Sequence, residues 1–144
     1  MTTQLTNQRT LALHGSASVG AQWRRLADSL PAGAKLLAPD RPGYGAAVDD
    51  RRASSDALRA ALDALGGEPL HLVGHSYGGA ILLKMAIERP NLAASLTLIE
   101  PTAMHLLRDQ RSASDRLLFQ EIGALARANA DAVQAGRPEP GVER

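Results

Sequence analysis

Ser76 stands in Gly74-His75-Ser76-Tyr77-Gly78, with glycine two places before it and two places after. A serine hydroxyl held at a sharp turn, with a base in reach, is a nucleophile for acyl transfer. The spacing has a steric cause. A strand that becomes a helix within three residues strains its middle residue. The residues at plus and minus two must then lack side chains, so that the two arms can approach. The flanks supply that context, since residues 70–73 form a short apolar run and residues 80–87 an apolar helical one. The turn is expected to hold the hydroxyl at the C-terminal end of a sheet, with a helix N-terminus beneath it.

A serine needs a partner to remove its proton. His105 is the only histidine after Ser76, and Glu100 lies between them, so the three occur in a usable order. They are the candidate nucleophile, acid and base. Order alone does not supply hydrogen-bond reach, and the favoured reading of His105 is a residue lining a pocket. His71 lies within an apolar run and is expected as a satisfied core histidine. No group of His, Asp or Glu has metal-ligand spacing, and Gly43-Tyr44-Gly45 is not part of a G-x-x-x-x-G-K-[ST] loop. Neither a metal nor a cofactor is expected.

A chain of 144 residues suits one domain with a real core. The net charge of +1 carries no basic stripe, which argues against nucleic acid and anionic membrane as partners. The absence of cysteine removes disulfides and a thiol nucleophile and fits a reducing, cytoplasmic setting. Residues 1–10 are polar without an apolar signal region, and no apolar run is long enough to span a bilayer.

Apolar runs at residues 10–13, 35–38, 70–73 and 95–99 read as strands. Helices are expected between them. One carries Trp23, Leu26, Ala27 and Leu30 on a single face, and another, over about 55–65, carries Leu58, Ala61, Leu62 and Leu65. Gly66-Gly67 stops the second, and Pro90 the helix after Ser76. Strand and helix alternate with nearly continuous apolar strands, the signature of a parallel sheet covered on both faces. After Glu100-Pro101 the alternation stops. Ser112-x-x-Asp115 reads as a capping box for a helix with a thin stripe of Leu118, Ile122, Leu125 and Val133.

Together these features resemble the α/β-hydrolase superfamily, in its serine-hydrolase branch. The resemblance spans about residues 14–105. It is carried by His14-Gly15 after the first strand, Asp40-Arg41-Pro42-Gly43-Tyr44-Gly45 after the second, the elbow itself, and Leu98-Ile99-Glu100-Pro101 after the fourth. It implies an α/β three-layer sandwich in which the four parallel strands lie side by side in the order second, first, third, fourth. It also implies a partial core over 1–108, the start of a helical lid over 109–136, and a tail over 137–144 that is expected to be disordered. Ser76 matches the nucleophile, and the N–H groups of Ser16 and Tyr77 match the two oxyanion donors. His14, Gly15 and Tyr44 fall on the substrate side, with His14 and His75 bracing the loops and Asp40 organising its own. A serine at the elbow disfavours the aspartate-dependent dehalogenases and epoxide hydrolases.

The same resemblance implies later strands and a final histidine loop that this sequence does not contain. Two functions are therefore expected alternatives. One is a serine hydrolase transferring the acyl group of a small ester, thioester or related carbonyl compound to water. The other is a truncated or degenerate relative without a full triad, inactive or only binding. A C–C hydrolase or a cofactor-free perhydrolase would use the same serine. The partner expected is a small-molecule substrate, with self-association possible through an exposed edge of the sheet.

Overall fold

A computed structural model describes residues 9–64, 68–108 and 112–136. It contains two compact units, Met1–Thr102 and Ala103–Arg144. In the first, strands β1 (Arg9–Leu13), β2 (Lys35–Leu37), β3 (Leu70–His75) and β4 (Ala93–Ile99) form one parallel sheet in the order β2-β1-β3-β4. That is the order the resemblance implies. Leu11 pairs with Leu37 on one side and with Leu72 on the other, and Leu72 in turn pairs with Leu96.

Helices α1 (Arg24–Ser29), α2 (Ser54–Ala64) and α3 (Tyr77–Glu88) make the crossovers. A parallel pair cannot be closed by a hairpin, so each crossover must cross a face of the sheet. The core forms where α2 and α3 meet the sheet, from Leu11, Leu13, Leu58, Leu62, Leu70, Leu72, Ile81, Leu82 and Met85. Each buried side chain of this size contributes about 1.5–3 kcal/mol. Outside this core, Arg59 pairs with Glu88 and Arg89 with Asp63, linking α2 to α3. Such exposed pairs contribute at most about 1 kcal/mol each.

The elements differ from the sequence reading at several points. Trp23 is buried, but it sits in a 3-10 turn, Gly20–Trp23, ahead of a short α1. Helix α3 starts at Tyr77 rather than at residue 80. The Ala61 side chain, Leu65 and Gly66-Gly67 lie outside the described residues. Coverage of the sheet is also uneven. Ala94, Ser95, Thr97 and Ile99 of β4 are exposed, and β4 pairs only with β3 among the described residues. Nothing in its sequence resists pairing, since it carries neither charge nor proline. His71 is half-buried, and its Nδ1 lies 2.7 Å from Ser95 Oγ.

The second unit contains α4 (His105–Arg108) and α5 (Ala113–Gln134). Ser112 Oγ accepts from the Asp115 N–H at 3.4 Å, a long version of the expected cap. Leu118 and Leu125 are exposed, Ile122 is half-buried, and the Val133 side chain and residues 137–144 lie outside the described set. No helix among the described residues is long and apolar enough to cross a membrane.

Candidate active site

β3 ends at His75 and α3 begins at Tyr77, which leaves Ser76 alone to make the turn. Its backbone is at φ 51°, ψ −122°. A side-chain-bearing residue pays about 1–3 kcal/mol for such a conformation, so the surroundings must hold it there. They do so from the end of β4. The Ser76 N–H donates to Ile99 O at 3.0 Å, and the Ser76 carbonyl accepts from the Thr102 N–H at 3.1 Å and the Ala80 N–H at 3.2 Å. Ser76 Oγ lies 3.2 Å from Thr102 Oγ1.

The glycines meet the steric demand directly. A Cβ on Gly74 would stand 2.5 Å from Gly79 Cα, and one on Gly78 would stand 2.5 Å from both Leu13 O and His14 O. Gly78 is thus where α3 presses onto the end of β1. Ala17, Ser76 and Glu100 are the non-glycine residues at positive φ among those described, and they follow β1, β3 and β4 respectively. Backbone strain is therefore gathered at the C-terminal edge of the sheet, the edge where Ser76 sits.

His14 is fully buried. Its Nε2 accepts from the Arg41 N–H at 3.0 Å, which assigns the proton to Nδ1, and Nδ1–H donates to Gly15 O at 2.8 Å. Both ring nitrogens are engaged, and the Tyr44 ring meets the imidazole edge-on at 5.2 Å. His14 thus braces two loops from behind rather than facing a substrate. Burial holds its pKa below the ordinary value; nearby Arg41 lowers it further, and the bond to Gly15 and the charge of Asp40 oppose the shift.

The unfolded chain protonates this imidazole near pH 6.5, about the free value, and the folded chain only at lower pH. The folded state therefore binds fewer protons in that window, and stability falls as pH drops below about 6.5. The urea midpoint is expected to fall between about pH 7.5 and 5.5. In His14→Gln, whose carboxamide offers one donor and one acceptor without titrating, the same profile should flatten. Parallel profiles for the two proteins would contradict this role.

Asp40 organises the loop between β2 and α2. Its carboxylate accepts from the Gly20 N–H at 2.6 Å and the Ala46 N–H at 2.8 Å, and those amides hold its pKa below the usual carboxylate value. Gly45, at φ 48°, leaves no room for a Cβ beside that carboxylate.

Of the expected site residues, Gly15, Ser16, Tyr44, Tyr77 and Ser76 belong to the first unit. A Cβ on Gly15 would stand 3.1 Å from Ser76 Cβ, which places the loop after β1 against the nucleophile. Glu100 is exposed at the end of β4, and His105 is exposed at the start of α4 in the second unit. Among the described residues of the first unit, neither an imidazole nor a carboxylate hydrogen bonds to Ser76 Oγ; the Thr102 hydroxyl does. No sequence motif marks Thr102. A cavity of about 220 Å³ opens elsewhere, between the 39–52 loop and α2, lined by Leu13, Pro39, Arg41, Ser54, Ala57 and Leu58 among others.

Sheet order, single-residue elbow and the loops at its edge define a known class. The alpha/beta hydrolase fold family matches residues 11–135, and the chain belongs to that family. It is 41% identical over 97 residues to the lipase LipV of Mycobacterium tuberculosis, a match that covers 65% of this chain and 37% of the relative. It is 31% identical over 104 residues to a 2-hydroxy-6-oxo-6-phenylhexa-2,4-dienoate hydrolase of Burkholderia cepacia, covering 65% and 36%. A loop variant of the haloalkane dehalogenase DbeA from Bradyrhizobium elkanii superposes with a TM-score of 0.60 at 28% identity, covering 65% of this chain and 33% of that one. The chain spans about a third of the length of these relatives.

Proposed function

We propose that this chain carries the nucleophile-bearing part of a serine hydrolase acting on a small ester, thioester or related carbonyl compound. The supporting observation is the conformation of Ser76, a strained residue set between strand and helix with its hydroxyl at the sheet edge. Ser76 Oγ would attack the carbonyl carbon, and the carbonyl oxygen would take the charge. The N–H groups of Ser16 and Tyr77 would stabilise that oxyanion, commonly the largest single catalytic contribution. Collapse of the intermediate would expel the alcohol or thiol, and water would then release the acid.

The hydroxyl proton needs a base. Both nitrogens of His14 are engaged, and the order of residues along the sequence suggests His105 as the base, with Glu100 as its acid. One observation favours the second reading, a relative without a full triad. The hydrogen bond of Ser76 Oγ in its own unit goes to a neutral hydroxyl, and a serine without a base is a weak nucleophile. Such a protein retains only the residual rate given by binding and the oxyanion hole, roughly 10³–10⁴ over water.

Hydrolysis of p-nitrophenyl esters from acetate to octanoate separates the two. The hydrolase reading expects turnover that saturates with substrate, prefers the short acyl chains, and is lost in Ser76→Ala. Linear, unsaturable release that is equal in parent and variant would leave only the second reading.

A further inference from the structure

Arg41 is 4% exposed, and among the described residues no carboxylate pairs with it. Its Nε is buried without a partner. A buried cation left uncompensated is expensive, so what its guanidinium does touch is informative. Nη2 donates to Gly15 O at 2.9 Å. The guanidinium carbon lies 4.5 Å from the centre of the Tyr44 ring and 5.1 Å from that of Tyr77. Gly15 O also accepts from His14 Nδ1, whose ring is oriented by the N–H of Arg41. One residue thus joins the loop after β1, the loop after β2 and the elbow.

The consequence lies in the geometry of a single peptide. No peptide bond in the described residues is cis, and a trans peptide is planar, with its C=O and N–H pointing in opposite directions. Gly15 O and the Ser16 N–H belong to the same peptide. Holding that oxygen with two donors therefore fixes the direction of the Ser16 N–H, beside Ser76, whose Cβ would stand 3.1 Å from a Cβ on Gly15. The planar fork of arginine can bond a carbonyl while its faces lie on aromatic rings, and an ammonium cannot do both.

We infer that Arg41 is a positioning residue for the oxyanion hole, setting the direction of the Ser16 N–H through Gly15 O and tying that loop to Tyr77. This rests on the reading of Ser16 and Tyr77 as the oxyanion donors.

The test compares parent, Arg41→Met and Arg41→Lys by two readouts. The first is the ¹³C resonance of the Gly15 carbonyl and the ¹⁵N resonance of the Ser16 amide in labelled protein. The second is phosphonylation by a fluorophosphonate, in which the Ser76 Oγ–P bond forms, fluoride leaves and the hydroxyl proton is released. In Arg41→Met the Gly15 carbonyl should move upfield as it loses a donor. The phosphonylation rate at saturation should fall on the order of 100-fold, with the half-saturating concentration unchanged. Arg41→Lys, which keeps the charge and one donor, should recover part of both. Unmoved Gly15 and Ser16 resonances overturn the proposal, as does a parent-like rate in a folded Arg41→Met. If Arg41→Met does not fold, Arg41→Lys is judged by the same readouts, and parent-like values in both overturn it. If the parent itself is not phosphonylated, the serine-hydrolase reading fails separately. The two resonances then decide only whether Arg41 sets the Gly15–Ser16 peptide, a shift upholding that orientation and its absence refuting it.

Discussion

Gly78→Ala is expected to leave the chain unfolded, or to lower its unfolding free energy by roughly 3 kcal/mol or more. The added methyl would stand 2.5 Å from two carbonyl oxygens, those of Leu13 and His14. Both are backbone atoms, so no side chain can rotate away, and relief requires α3 to lift off β1. Such a movement would disturb the contact of α3 with the buried core around Leu82. Domains of this kind have only about 5–15 kcal/mol in total. By contrast, Gly33 has nothing within 4 Å of an added Cβ, so Gly33→Ala meets only the strain of its positive φ. Urea unfolding of the two variants beside the parent checks the difference. Equal midpoints would mean that the elbow is looser than its geometry.

Ser76→Gly is expected to do two opposite things. It removes the hydroxyl, and with it any covalent chemistry at this position, a loss on the order of 10⁶ in rate where such a serine has been deleted from a working triad. It also removes the side chain from a residue at φ 51°, ψ −122°. The strain relieved is about 1–3 kcal/mol, offset by about 0.5–1 kcal/mol for the extra freedom of glycine in the unfolded chain. The net result should be a protein about 1 kcal/mol more stable than the parent and chemically silent. Ser76→Ala is the control, because it loses the hydroxyl and keeps the strain. A rise in the urea midpoint for glycine but not for alanine would identify the stabilisation as backbone relief. No rise in either would show that Ser76 is not strained.

Much of this arrangement was legible because it is steric or periodic. The G-x-S-x-G spacing forced a one-residue turn, and the alternation of apolar strands with helical stripes implied a parallel sheet. The resemblance implied that Asp40 organises its loop, and it accepts two main-chain N–H groups there. What escaped the sequence depended on distant partners. Thr102 meets Ser76 across 26 positions with no motif to announce it. Ala17 and Glu100 adopt positive φ without being glycine, so composition gave no sign of them. α3 begins before the apolar run because Gly78 and Gly79, poor helix formers, sit in its first turn where α3 closely approaches β1 and β3. Arg41 was hidden among residues that favour turns, since burial of a charge cannot be read from a turn.

The hydroxyl of Ser76 as a nucleophile in this chain is tested most directly by intact mass after exposure to a fluorophosphonate. Parent, Ser76→Ala and an unfolded parent are run side by side. Expected is one adduct on the folded parent and none on the other two, which requires both the serine and the fold. No adduct on the folded parent, or an adduct that persists in Ser76→Ala, would contradict it.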